Sequence, residues 1–105
     1  MNKNNQAFLE SQLARIQLEE KEKELSTRYS EKAENVEKAD SDFILAEQML
    51  KVSKIRMNIA QVQWQAGRYS ELEYKKEQNT MQEETDKVLM AKISMILSRL
   101  NLMLL

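Results

Sequence analysis

Ala66-Gly67-Arg68-Tyr69-Ser70-Glu71-Leu72-Glu73-Tyr74 contains the only glycine of a 105-residue chain and decides how that chain folds. Gly67 can adopt the left-handed conformation that closes a helix C-terminus without a steric penalty. Ser70 and Glu73 form an S-x-x-E capping box: the serine hydroxyl accepts the amide of residue 73 while the glutamate reaches back to the amide of residue 70. Tyr69 and Tyr74 occupy the two positions of a hydrophobic staple around that cap. Three local signals agree on a reversal. The segments are a long first helix over 1–66, a tip at 67–70 and a return helix over 71–105.

Composition supports long helices on both sides. The chain has no proline, cysteine or histidine, and 31% of its residues are charged. Sequences rich in Glu, Lys, Gln, Leu and Met, without helix breakers, favour the helix at almost every position. At a rise of ~1.5 Å per residue the first helix is a rod of ~100 Å and the second one of ~50 Å. Two such rods cannot enclose a globular core, so the stable form is expected to recruit further helices. The fold class is all-α: a long antiparallel two-helix coiled-coil hairpin, part of a larger helical barrel or bundle.

The first helix carries a seven-residue ladder, Tyr29, Val36, Phe43, Leu50, Met57 and Trp64, which marks its packing seam. Three residues on from four of these stand the small residues Ala39, Ala46, Ser53 and Ala60. Large residues facing small ones permit knobs-into-holes packing at close approach. A second ladder, Leu45, Val52, Ile59 and Ala66, lies two positions further round, with Ile55 and Val62 beside it. That face is wider than one partner helix requires and calls for neighbours on two sides. The return helix has its own ladder, Tyr74, Met81, Val88, Met95 and Leu102. Pairing about the tip puts Leu105 near residue 30, leaving residues 1–30 without an intramolecular partner. The abrupt finish on Leu102-Met103-Leu104-Leu105 reads as a cut through a helix.

Charge is distributed unevenly. Residues 19–42 hold nine acids and five bases, a solvated face laced with i,i+4 ion pairs. Residues 51–68 contain Lys51, Lys54, Arg56 and Arg68 and no acid, whereas 71–87 hold six acids and three bases. Opposite charge on the two arms is expected to favour their pairing near the tip, each exposed pair contributing little. A net charge of −1 gives no electrostatic case for nucleic acid. The start, Met1-Asn2-Lys3-Asn4-Asn5-Gln6, leads into no apolar run of the secretory kind. Lys92, Ser94, Ser98, Arg99 and Asn101 interrupt the apolar stretch 88–105, which reads as a packed helix rather than a membrane span.

Without histidine or cysteine, most metal sites, nucleophilic thiols and imidazole bases are unavailable. Carboxylates at helical spacing, such as Glu20 with Glu24 and Glu73 with Glu77, sit among lysines on solvated faces. One glycine cannot make a phosphate-binding loop. No enzyme activity, metal or cofactor is expected.

The tip resembles the periplasmic tips of TolC-like outer-membrane efflux proteins. Trp64, Ala66, Gly67, Ser70, Leu72, Glu73 and Gln78 fall at that family's spacings, and Leu45-Ala46-Glu47 and Ala91-Lys92 have its character. The resemblance spans residues 43–105 and is sharp over 64–78. Tyr74-Lys75 and Glu77 depart from the family's pattern and make the start of the return helix more polar. The resemblance implies the periplasmic portion of an outer-membrane protein, a trimer whose twelve helices form a tunnel below a β-barrel. It also implies that the tips close the tunnel until a periplasmic adaptor protein docks on them and couples them to an inner-membrane pump. Gly67, Arg68, Tyr69, Ser70, Leu72 and Glu73 would form the adaptor-contacting tip. In it Gly67 would permit close backbone approach, Leu72 would anchor in an apolar groove and Glu73 would cap the helix or pair with a basic residue. Arg68 would be a candidate for the closing contacts. The residues leave open a second reading, a stand-alone coiled-coil hairpin serving as scaffold, secretion stalk or chaperone. One uninterrupted rod of ~158 Å is opposed by the glycine, cap and staple together.

Overall fold

The computed structural model describes residues 2–105, which form α1 (Lys3–Gln65) and α2 (Glu71–Met103). The two helices pack as an extended antiparallel hairpin measuring 96 × 16 × 16 Å. Sixty-three residues at ~1.5 Å each span ~95 Å, so α1 alone sets the length of the molecule. Asn2 opens α1 by accepting the amide of Asn5 at 2.9 Å. No Pro or Gly then interrupts the helix before Gly67.

The seam follows the two ladders. Val36, Phe43, Leu50 and Met57 of α1 are half-buried against Met81, Val88, Met95 and Leu102 of α2. The small positions go deepest: Ala39, Ser53 and Ala60 are buried, Ala60 to 1% exposure, and Ala46 is half-buried. With only a methyl group or a hydroxymethyl in the way, the backbones approach closely and the large residues interlock above and below. No large side chain among the described residues is fully buried. A pair of rods has only one shared stripe to hide.

α2 is the shorter helix, and α1 runs on past its end. The last lateral hydrogen bond joins Lys32 Nζ to the carbonyl of Asn101 at 3.1 Å. Tyr29 belongs to the seam ladder by spacing, yet it is 56% exposed because α2 does not reach it. Beyond it, Phe8, Leu9, Leu13, Ile16, Leu18 and Leu25 also lie exposed. Ion pairs of the i,i+4 kind decorate this overhang, Arg15 with Glu19 at 3.5 Å and Arg28 with Glu24 at 3.0 Å. Among the described residues no helix is long and apolar enough to cross a membrane.

Cross-helix electrostatics differ from the expectation of paired arms near the tip. Glu71 pairs with Lys75 and Glu84 with Lys87, both within α2. Among the described residues the one ion pair between helices is Arg99 with Asp40, far from the tip. There the guanidinium donates to both carboxylate oxygens at 3.1 and 3.0 Å. Lysines four or three residues from an acid on one helix meet it without reaching across the seam, and that local geometry wins.

Close approach at Ala60 should be the most sensitive feature of the shaft. Replacing Ala60 with Leu is expected to destabilise the hairpin by about 1–3 kcal/mol, through overpacking at a site with no free volume. The same change at Gln61, which is exposed, should lie within about 0.5 kcal/mol of the parent. Urea unfolding followed by helical circular dichroism measures both.

Candidate functional site

The tip is built from hydrogen bonds that end one helix and start the next. At the end of α1 the Gly67 amide donates to the carbonyl of Trp64 at 3.0 Å and the Arg68 amide to that of Gln63 at 2.8 Å. These are the two bonds of a Schellman motif, and they require a left-handed residue between them. Gly67 supplies it with φ +71°, the only positive φ among the described residues. A Cβ at Gly67 would meet nothing within 4 Å, so the demand is purely conformational. The Tyr69 amide also donates to Gln63, at 3.2 Å, drawing the chain back over the end of α1.

Ser70 starts α2. Its Oγ accepts the amide of Glu73 at 3.1 Å, and Glu71 and Glu73 place negative charge in the first turn, where the helix dipole favours it. The reciprocal arm of the capping box is not formed: the Glu73 carboxylate does not receive the Ser70 amide among the described hydrogen bonds. Tyr74, one of the two staple residues, also has a partner on the other helix. Tyr74 stacks on Trp64 across the turn, with ring centroids 4.6 Å apart and planes at 17°. An aromatic pair joining both helices fixes the angle of the hairpin more directly than one within the first turn of α2. Tyr69 is half-buried.

What remains outward is Arg68, Leu72 and the Glu73 side chain. Leu72 is 79% exposed, the most open large apolar residue of the tip. Arg68 is exposed and has no ion pair among the described residues. The six tip residues singled out by sequence therefore divide into a frame, Gly67, Tyr69 and Ser70, and a presented set, Arg68, Leu72 and Glu73.

A second feature escaped the sequence reading. Glu84 is buried in the seam, its side chain 10% exposed, level with Ser53. Oε1 lies 3.6 Å from Lys87 Nζ, whereas Oε2 has no hydrogen-bond partner. A groove of about 310 Å³ opens beside it, lined by Leu45, Met49, Val52, Arg56 and Thr80 among others. The signal was present in the spacing: Glu77, Glu84, Ala91 and Ser98 form the small-side ladder of α2, three residues on from Tyr74, Met81, Val88 and Met95.

No family model, curated protein or solved structure matches the chain.

Substitutions at the frame should change stability by local terms alone. Gly67→Ala is expected to cost about 1–2 kcal/mol from left-handed strain, and Gly67→Asn clearly less. Ser70→Ala should cost about 1 kcal/mol through loss of the cap. A double-mutant cycle over Trp64 and Tyr74, read by thermal unfolding, should return a coupling of about 0.5–1.5 kcal/mol.

Proposed function

We propose that this chain is the periplasmic tunnel hairpin of an outer-membrane export channel, whose tip docks an adaptor protein and takes part in gating. The observation that carries this reading is the tip, with its spacing of Trp64, Gly67, Ser70, Leu72 and Glu73 and the geometry those residues adopt. Leu72 stands open at the far end of a 96 Å rod, beside an arginine and a carboxylate, on a rigid turn. An exposed apolar anchor with a polar rim is what a docking contact needs, and a side chain held on a capped helix end loses little freedom on binding.

The shaft supports the same reading from a different direction. Leu45, Val52, Ile55, Ile59 and Val62 of α1 and Leu89, Ile93, Ile96 and Leu100 of α2 are exposed. Apolar flanks on both helices, away from their shared seam, suit a hairpin set between further helices. The polar start of α2, from Lys75 to Lys87, leaves the tip region accessible to water when the rest of the shaft is enclosed.

In the intact channel, Leu72→Asp should lower adaptor capture in site-specific cross-linking by about tenfold or more and reduce export in parallel. Helical content and melting temperature should stay within error, because Leu72 makes no seam contact. Wild-type cross-linking and export from the Leu72→Asp channel would refute the tip assignment.

A further inference from the structure

The lower half of α2 carries a second apolar ladder. Leu89, Ile93, Ile96, Leu100 and Met103 recur at alternating spacings of four and three on the side away from the seam, and they are between 43% and 80% exposed. That alternation is the a/d pattern of a coiled-coil seam. Met90, Leu97 and Leu104 each follow a ladder residue and widen the stripe along one edge, and they too are exposed. Lys92 and Arg99, along the other edge, carry the only charged side chains in residues 88–105. Together the apolar side chains leave on the order of 800 Å² open, about what one partner contributes to a stable interface and more than the largest patch of an ordinary monomer.

We propose that this stripe packs on the same stripe of a second copy of the chain, with the two α2 helices parallel and the tips level. Arg99 bridges Asp40 and Asn101 meets Lys32, so the stripe lies level with about residues 34–48 of α1. Apart from Ile44 and Leu45 near its upper limit, the exposed surface of α1 at that height is largely polar, with Glu34, Glu37, Lys38, Ser41 and Asp42. In a copy set at the same height, α2 is therefore the helix that offers a matching apolar face. Parallel pairing brings each ladder residue against its own equivalent, a closed contact between like surfaces. It also lays Lys92 and Arg99 beside Leu97 and Leu104 of the neighbour, where their aliphatic stems cover apolar surface. Antiparallel pairing would instead set Lys92 of each copy beside Arg99 of the other. Above the stripe, Gln82 and Asp86 take the same ladder positions and are exposed and polar. The contact stops there and leaves the tip half of each hairpin free. Alignment with the tips level rests on the reading of the tip as a docking site; the stripe itself does not.

Sedimentation velocity on the full chain tests the contact. Wild type should self-associate, and Ile96→Asp should weaken that association at least about tenfold, with helical circular dichroism unchanged because Ile96 lies outside the seam. Ile59→Asp, the same change on the exposed ladder of α1, should stay within about threefold of wild type. A wild-type chain monomeric at every concentration, or equal association by Ile96→Asp and wild type, would overturn the contact and leave the tip reading untouched. So would a loss at Ile59→Asp as large as that at Ile96→Asp. The chain has no cysteine of its own, so single cysteines report orientation. Leu89→Cys should form disulfide-linked pairs under mild oxidation, since parallel helices bring the two copies of that position together. A mixture of Leu89→Cys and Leu100→Cys should form few crossed pairs, because eleven residues separate those positions by ~16 Å along parallel helices. Crossed pairs without Leu89→Cys self-pairs would overturn the parallel contact and, with it, the level tips.

Discussion

A single stripe of small residues governs this molecule. Ala39, Ala46, Ser53 and Ala60 bring the two backbones close enough for Phe43, Leu50 and Met57 to interlock with α2. Dispersion and hydrophobic burial both depend on that closeness, because a gap of even 1 Å forfeits much of each contact. Two helices can share only one such stripe. Every other apolar residue is therefore left at the surface, whatever its size. Exposed Leu, Ile and Val on this rod follow from geometry, and their arrangement in ladders is what carries information about partners.

The turn depends on the same stripe. A Schellman end and a serine cap settle only where the chain reverses, and the seam settles at what angle it returns. Trp64 stacked on Tyr74 is the joint between the two. It occupies the last large position of the α1 ladder and the first of the α2 ladder, so tip and shaft share one pair of rings. Trp64 keeps 44% of its surface open because no further turn of helix lies above it. The Schellman end and the serine cap fix the backbone from which Arg68 and Leu72 project.

Much of this was legible in the sequence. One glycine in a chain without proline located the reversal, and two seven-residue ladders located the seam, because each signal is local and the helix period is fixed. Tyr29 shows where that legibility stops. Its spacing is right, and only the length of α2 decides that nothing covers it. The charged arms show a second limit. Composition gave opposite signs to 51–68 and 71–87, but on a helix the nearest counter-ion is three or four residues away on the same strand of surface, and Glu71 and Glu84 found theirs there. The stacking of Tyr74 on Trp64 is a third case: the two residues are ten apart in sequence and close in space, a pairing that the local cap pattern does not contain.

Glu84 is the residue that pattern reading passes over and packing makes prominent. A carboxylate at a small-side seam position reads as one more charge in an acidic stretch. Once α1 and α2 meet at Ser53, the same carboxylate lies inside, half satisfied by Lys87. Replacing it with alanine would extend the small stripe seen at Ala91 and make a better two-helix seam by the rule that governs Ala60. The residue is thus poorly suited to a two-helix seam, where its second oxygen has no partner. A buried polar group of this kind discriminates between packings, since only the arrangement that supplies its partner escapes the desolvation cost.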